Sequence, residues 1–469
     1  MSKIGVLTMI RKLTVWIASM TVALLAMDVV LAGAAHAQEA VGEWHGVLAN
    51  ALSEMRIGIT ITPKPGGGYQ GALSSPDQMP GALPLDSVTM ENDRLIFSSE
   101  RIHGRFEAHW DRSQSAWVGV WTQGNSGPLI LTKGRPEARQ RPQTPKPPFP
   151  YRAEDVSFDS APGVRLAGTL TIPSGKGPFP AVVLITGSGA QDRDETIMDH
   201  KPFLVLADAL SRHGIAVLRD DDRGFGKSTG DFSKATTLDF AVDTQAALAY
   251  LRSRPEIDAN RLGLIGHSEG GLIGPMVALK DRGVAFVVMM AGPGVAIRDL
   301  MVAQREAVAR TAGVAPEAIA RNEVIMDRVL KTLSNAADPA QGQADAAKIF
   351  TDNGMTAQAA AASVKQLASA WFAWFIAYDP QPTLTKLKVP VLALNGDKDV
   401  QVISKQSLPA IRAALKDNPD ATVVELPGLN HLFQTAGTGA PLEYMRIEET
   451  IAPTALDLMV NWVVTHTLP

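Results

Sequence analysis

The chain has 469 residues, of which 45% are hydrophobic and 20% are charged, and its formal net charge is −4. That length allows two or three domains, and the composition is typical of a globular protein rather than a disordered or collagen-like chain. The weak acidic charge gives no support for a nucleic-acid partner, and the absence of cysteine excludes disulfide frameworks, thiolate metal sites and cysteine nucleophiles.

The N-terminal segment has the pattern of an export signal. A basic start is followed by an apolar run over residues 13–27 and by Ala35 and Ala37, which fit the small-residue rule for a cleavage site. Asp28 interrupts the apolar stretch, which argues against a permanent membrane span. We therefore expect residues 1–37 to be a signal peptide and the protein to be exported, either periplasmic or secreted. An uncleaved membrane anchor is the alternative.

Residues 38–135 have short segments with strand character. Ile57, Ile59 and Ile61 alternate with small or polar residues, the period of a half-buried strand, and the turn residues 65–68 follow them. This pattern predicts a small all-β domain, either barrel-like or sandwich-like. Its tryptophans could bind a sugar or a lipid, but such domains commonly use tryptophan in the core, which is the favoured interpretation for Trp44, Trp110, Trp117 and Trp121.

Five prolines within residues 142–150 predict that residues 136–150 form a stiff linker between domains. Beyond it, over residues 151–469, continuous apolar runs alternate with helical patterns such as 238–251, which predicts an α/β sheet with helices on both faces. The runs are at 181–185, 215–218, 262–265, 286–290 and 389–394. Residues 297–385 interrupt the alternation with a helix-rich, alanine-rich stretch, which we expect to form a cap over an active site.

Ser268 is the candidate nucleophile of this second domain. It stands in a G-x-S-x-G motif directly after the run 262–265 and before a stretch of small residues suited to a closely packed helix. A second match places Ser228 in the same motif, but a charged loop precedes it and no helical pattern begins until about Thr237. The strand, turn and helix that the motif requires are therefore expected only at Ser268.

A serine nucleophile needs a general base and an orienting acid. In α/β folds of this kind the order along the chain is serine, acid, histidine, which leaves His431 and His466 as bases. His431 follows a strand-like segment and is preferred, whereas His466 lies close to the C-terminus and is expected to pack or move freely. For the acid, Asp397 and Asp399 both follow the run 389–394, and the residues alone do not separate them.

Two backbone N–H groups are needed to stabilise the oxyanion of a tetrahedral intermediate. The residue after the nucleophile, Glu269, is expected to supply one of them. Ser188 is expected to supply the other, because it lies between two glycines in the loop after the run 181–185. The sequence carries no metal-binding or cofactor-binding motif, so no cofactor is expected.

Several of these segments together resemble the bacterial EstD-type carboxylesterases of the α/β-hydrolase superfamily, near its serine aminopeptidase-like branch. The resemblance extends over about residues 151–469, and its most specific stretches are 187–194, 221–230 and 266–271. It implies an α/β-hydrolase fold with a helical cap, preceded by a small all-β domain. The acid of that family stands in a G-x-x-D pattern, which implies Asp399. The chain departs from many hydrolases at Thr186, where they have histidine.

The sequence therefore predicts a serine hydrolase that cleaves small-molecule carboxylic esters through an acyl-enzyme intermediate. A serine exopeptidase on the same three residues is the alternative, and an exported binding protein without catalytic activity is a less favoured one. The aromatic cluster 371–375 either walls an acyl pocket or packs within the cap, with packing favoured. The oligomeric state has no signature in the sequence.

Overall fold

The computed structural model describes residues 40–50, 53–75, 82–91, 93–136 and 140–467. The chain divides into two compact units, one ending at Gln140 and the other starting at Arg141 and continuing to the C-terminus. The segment predicted as a signal peptide lies outside the described residues, so its cleavage and the export of the protein stay predictions. Within the described part, no helix combines the length and the hydropathy that a membrane span needs.

The first unit is a single antiparallel sheet. Its strands in the described residues are β1 (Gly42–Asn50), β2 (Ser53–Pro63), β3 (Tyr69–Ser74), β4 (Ala82–Pro84), β5 (Ser87–Glu91), β6 (Arg94–Ser99), β7 (Gly104–Asp111), β8 (Ala116–Gln123) and β9 (Asn125–Lys133). The order across the sheet is β4-β3-β2-β1-β9-β8-β7-β6-β5. Because β1 pairs with β9 and β3 contacts β5, the sheet curls back on itself. The barrel-like form of the prediction is confirmed, and the sandwich is not found.

The interior of this sheet is built from alternating residues, as the period-2 pattern predicts. Ile57, Ile59 and Ile61 of β2 are all buried, and the chain turns back into β3 directly after them. Trp44 and Trp117 are 1% exposed and contact each other edge to face, with ring centroids 6.3 Å apart. Since aromatic pairs of this kind stabilise a core, the core interpretation of these tryptophans is confirmed.

The second unit contains a mixed sheet of eight strands within the described residues. They are β10 (Tyr151–Asp159), β11 (Arg165–Pro173), β12 (Phe179–Ile185), β13 (Ala216–Asp220), β14 (Ile257–His267), β15 (Val284–Met290), β16 (Val391–Gly396) and β17 (Ala421–Leu426). Their order is β10-β11-β13-β12-β14-β15-β16-β17. β11 is antiparallel to both of its neighbours, and the strands from β13 to β17 pair in parallel. The parallel strands therefore present their carboxyl ends along one edge.

Helices cover both faces of this sheet. The α-helices of the described part of this unit are α1 (Pro202–Arg212), α2 (Thr237–Arg252), α3 (Gly270–Lys280), α4 (Ile297–Thr311), α5 (Pro316–Asn335), α6 (Pro339–Asp352), α7 (Ala357–Leu367), α8 (Ala370–Ala377), α9 (Gln381–Leu384), α10 (Ser404–Ala414) and α11 (Pro453–Thr467). Val183 faces the cluster that contains α2, α3 and α10, whereas Leu184 faces the cluster that contains α1 and α11. A strand buried on both faces must be apolar throughout, which explains the continuous run at 181–185.

The cap is helical throughout its described length. Helices α4 to α9 fill the chain between β15 and β16, close to the bounds 297–385 expected from composition. Val329 and Phe350 belong to an apolar cluster within the cap, and Phe375 packs with Ile297 against Leu272 of α3. The cap is thereby attached to the helix that follows β14. Together with the sheet order, this arrangement confirms the α/β-hydrolase fold with a helical cap, preceded by an all-β domain.

Candidate active site

Ser268 occupies the sharp turn between β14 and α3. Its φ is +52°, in the left-handed region that costs a residue with a side chain about 1–3 kcal/mol, and its N–H donates to the carbonyl of Met290 at 2.8 Å. The turn is so tight that a Cβ on Gly266 would lie 2.0 Å from the carbonyl oxygen of Gly270. The glycines of the motif are therefore required by the close approach of strand and helix, and the strained turn presents the Ser268 side chain at the sheet edge.

Ser228, in the second match to the motif, holds a loop together. Its Oγ donates to the carbonyl of Asp221 at 2.7 Å and accepts the N–H of Ala167 at 2.9 Å. The side chain is buried, and the next α-helix, α2, begins only at Thr237. The hydroxyl donates within its own loop and accepts from β11, so it is not presented as a nucleophile.

Asp399 and His431 lie together after the carboxyl ends of β16 and β17. Nδ1 of His431 is 2.7 Å from Oδ2 of Asp399, and both side chains are buried. The other carboxylate oxygen, Oδ1, accepts the N–H groups of Gln401 at 2.7 Å and of Val402 at 2.9 Å. These contacts fix the carboxylate, which in turn fixes the histidine ring with Nδ1 as the donor.

The alternative residues are engaged elsewhere. Asp397 is exposed, and its Oδ1 accepts the N–H of Gly428 at 2.6 Å, so it closes the turn after β17. His466 stacks on Trp462 with ring centroids 3.8 Å apart, and its Nε2 lies 3.2 Å from Oδ2 of Asp420. Both residues therefore have structural contacts that account for them.

The serine and histidine loops meet through the residue that precedes the serine. The ring of His267 lies 4.7 Å from the ring of His431, and Nε2 of His267 is 3.0 Å from the carbonyl oxygen of His431. Among the described residues, Ser268 Oγ has no hydrogen bond to His431, and Nε2 of His431 has no partner. Catalytic hydrogen bonds are often long without bound substrate, so the missing hydrogen bond between Ser268 and His431 does not exclude proton transfer between them.

The loop after β12 lies against Ser268. A Cβ added to Gly187 would be 3.3 Å from the Cβ of Ser268, so only glycine allows this approach without a shift. The backbone N–H groups of Ser188 and Glu269 have no acceptor within the described part of the chain. Two unpaired donors on either side of a serine are the components of an oxyanion hole.

The side chain of Glu269 connects this loop to the cap, which the sequence reasoning did not anticipate. Its buried carboxylate accepts the hydroxyl of Ser188 at 2.7 Å and that of Thr237 at 2.6 Å. It also accepts the indole N–H of Trp371 in α8, 2.9 Å from Oε1. Burial raises the pKa of Glu269, and the hydrogen bonds from these three donors oppose that rise. Glu269 itself lies in the turn of residues 266–270, which we call the elbow. Its carboxylate therefore connects the elbow to the loop after β12 and to the cap.

Replacing Trp371 with phenylalanine is expected to lower the free energy of unfolding by about 2 kcal/mol more than the same replacement of Trp374. The reason is that the indole N–H of Trp371, unlike that of Trp374, donates to the buried carboxylate of Glu269. Trp374 stacks on Tyr378 and is the matched control. Urea unfolding followed by circular dichroism measures both variants. Equal losses for the two substitutions would mean that the hydrogen bond to Glu269 contributes nothing to stability.

The residues near the elbow offer no metal site and little free volume. Across the described residues there is no group of three or more histidine, aspartate or glutamate side chains with the geometry to hold a metal ion. A cavity of about 30 Å³ lies behind the loop, lined in part by Thr186, Gly187, Asp222 and Glu269. That volume suits water rather than an ester, since ligand pockets measure hundreds of cubic ångströms.

Comparison with known proteins places these features in context. The family model described as serine aminopeptidase, S33, matches residues 200–435, about half of the chain. Esterase EstD of Thermotoga maritima is 27% identical over 375 residues, which cover 79% of this chain and 82% of EstD. The uncharacterised protein YfhR of Escherichia coli is 38% identical over 144 residues, which cover 30% of this chain and 48% of YfhR, so the match spans about half of that relative. Among solved structures, an esterase of Pyrococcus furiosus aligns with a TM-score of 0.44 at 15% identity, over 68% of this chain and 92% of that one.

Proposed function

Because the chain belongs to the serine aminopeptidase, S33, family of hydrolases, we propose that it cleaves carboxylic esters through an acyl-enzyme on Ser268, with His431 as general base and Asp399 as the orienting acid. The observation that carries the proposal is the 2.7 Å contact between His431 Nδ1 and Asp399 Oδ2, beside a serine held at φ +52°. That combination of a strained serine, a histidine and a buried carboxylate is the arrangement on which acyl transfer by serine depends.

The first step is attack by the serine oxygen. Asp399 accepts a hydrogen bond from the N–H at Nδ1 of His431, which keeps the proton on Nδ1 and leaves the lone pair of the ring on Nε2. Nε2 removes the proton of Ser268 Oγ while Oγ forms a bond to the ester carbonyl carbon. The carbonyl oxygen becomes an oxyanion, for which the free N–H groups of Ser188 and Glu269 are the donors in this proposal.

The second step releases the alcohol and then the acid. The imidazolium of His431 gives its Nε2 proton to the alkoxide oxygen as the carbon–oxygen bond breaks, which leaves the acyl group on Ser268. Water then attacks the acyl carbon, with His431 again taking the proton, and the carboxylic acid departs as Ser268 Oγ regains a proton. Asp399 stays ionised throughout and stabilises each imidazolium.

Two observations favour an ester over a peptide with a free amino terminus. An exopeptidase of that kind needs an anion for the substrate ammonium group, but Glu269 is buried and already accepts three side-chain donors. The part of the cap that packs beside the turn of Ser268 is instead apolar and aromatic, with Trp371 stacked on the buried Phe375 at 4.9 Å. The similarity to EstD, a protein named as an esterase, supports the same choice.

A substrate panel tests the proposal against the exopeptidase that the family description suggests. The purified full-length chain is assayed with p-nitrophenyl esters of increasing acyl length and with aminoacyl-p-nitroanilides at equal concentrations. We expect kcat/KM for the best ester to exceed that for the best anilide by at least about 10²-fold, because the carboxylate of Glu269, next to Ser268, already accepts three side-chain donors and is not free to bind an ammonium group. Faster hydrolysis of the anilides would overturn the ester assignment in favour of the exopeptidase.

A further inference from the structure

His267, directly before the nucleophile, lies between two oxygen acceptors. The side chain is 4% exposed, and that of Glu195, its partner, is 1% exposed. Nδ1 is 2.8 Å from Oε1 of Glu195, and Nε2 is 3.0 Å from the carbonyl oxygen of His431. A carbonyl oxygen can only accept, so Nε2 must carry a proton, and a carboxylate oxygen at Nδ1 also calls for a donor.

We propose that Glu195 and His267 form a buried ion pair, with the imidazole protonated at both nitrogens, and that this pair positions the loop of Gly187 and Ser188 against the loop that carries His431. In the neutral alternative the shared proton would sit on Oε1 of Glu195 and point at Nδ1 of His267. Oε1 also accepts the N–H of Gly187 at 2.9 Å, and the hydroxyl oxygen of a carboxylic acid is a weaker acceptor than a carboxylate oxygen. The charged form gives both the ring N–H and the backbone N–H a carboxylate acceptor.

A second buried histidine, His200, shows that the groups next to the two ring nitrogens decide whether the ring is neutral or charged. Nε2 of His200 is 2.8 Å from the carbonyl oxygen of Tyr444, but its Nδ1 is 3.1 Å from the hydroxyl of Thr450. A hydroxyl can donate, so a neutral ring satisfies both contacts of His200. Burial lowers the pKa of His200 to about 4. Burial also disfavours charge at His267, but there the nearby charge of Glu195 outweighs it and the pKa is raised.

The ion pair contacts both the loop proposed to stabilise the oxyanion and the loop that carries His431. Oε1 of Glu195 accepts the N–H of Gly187 at 2.9 Å, next to the N–H of Ser188 that is proposed for the oxyanion. At its other end, His267 holds the main-chain carbonyl of His431. The charged or titratable groups that face His267 are Glu195, His431 and, beyond the His431 ring, Asp399. Glu195 and His267 are thus positioning residues, a role that rests on the proposed function.

The protonation state is measured by nitrogen NMR of the full chain with labelled histidine, at about pH 8.5, roughly two units above the ordinary histidine pKa of about 6.5. A His431→Ala variant removes the catalytic ring but keeps the main-chain carbonyl that His267 contacts. We expect one doubly protonated imidazole to remain in its spectrum and to disappear when Glu195→Gln is added. Absence of any imidazolium at that pH in the His431→Ala chain would overturn the ion pair, without requiring any substitution at Glu195.

The positioning role is measured by kinetics on a p-nitrophenyl ester. Glu195→Gln should lower kcat by about 10²-fold with KM changed only a few-fold, because displaced catalytic groups slow the reaction more than they weaken binding. Glu195→Asp, which keeps the charge, should recover part of the loss. Glu425→Gln is the control, since the side-chain partners of Glu425 among the described residues are Ser404 and Lys405, on another part of the unit.

The kinetic outcomes separate this inference from the proposed function. A parental kcat in Glu195→Gln would overturn the positioning role. A parent chain that neither hydrolyses esters nor reacts with a fluorophosphonate at Ser268 would overturn the proposed function instead, while the NMR spectrum would still decide whether the ion pair exists.

Discussion

Replacing Ser268 with alanine is expected to lower kcat for a p-nitrophenyl ester by on the order of 10⁴–10⁶-fold. The substitution removes the hydroxyl oxygen that attacks the ester in the proposed mechanism, and His431 then has no serine hydroxyl from which to take a proton. KM should change little, because the methyl group occupies the same place and the cap is untouched. The residual rate comes from direct attack of water on the ester, in which the oxyanion donors still stabilise the negative charge on the carbonyl oxygen.

Ser228→Ala is the matched control, because Ser228 stands in the same sequence motif. Its hydroxyl joins Asp221 to Ala167, so its loss should lower the free energy of unfolding by about 1–2 kcal/mol and leave kcat near that of the parent. Initial rates at saturating ester and urea unfolding measure the two variants side by side. An active Ser268→Ala variant, or an inactive but folded Ser228→Ala variant, contradicts the assignment of the nucleophile.

Replacing Asp399 with asparagine is expected to lower kcat by about 10⁴-fold at neutral pH. The amide can present its NH₂ group to Nδ1 of His431, which would then have to accept, and the ring proton would move to Nε2. A ring in that tautomer cannot remove the proton of Ser268. The two backbone N–H groups of Gln401 and Val402 that now point at Oδ1 keep the side chain in place, so the loss should appear in kcat rather than in folding.

Asp397→Asn tests whether the effect belongs to Asp399 in particular. Asp397 is exposed and accepts only the N–H of Gly428 among the described side-chain contacts, so its amide should leave kcat within about twofold of the parent. Both variants are assayed on the same ester, with circular dichroism as the check on folding. A loss for Asp397→Asn that equals or exceeds the loss for Asp399→Asn refutes the choice of acid.

The elements of this protein could be predicted closely because their patterns are local. The continuous apolar run at 181–185 indicated a strand buried on both faces, and β12 occupies Phe179–Ile185. The spacing over 238–251 indicated a helix, and α2 covers Thr237–Arg252. The alternation at Ile57, Ile59 and Ile61 predicted the inward face of β2. Each of these features depends on the period of the backbone, which a sequence displays directly.

The sequence alone determined the order of elements, the strand–turn–helix setting of Ser268 and the two candidate histidines, because such features follow from neighbours along the chain. Only the tertiary structure decided which aspartate meets His431, since Asp397 and Asp399 differ by two positions but point to different partners. It also revealed that Glu269 contacts Trp371, 102 positions away, and that His267 contacts Glu195, 72 positions away. Contacts between side chains that are distant in sequence depend on how strands and helices pack, and the local periodicity of the sequence does not predict them.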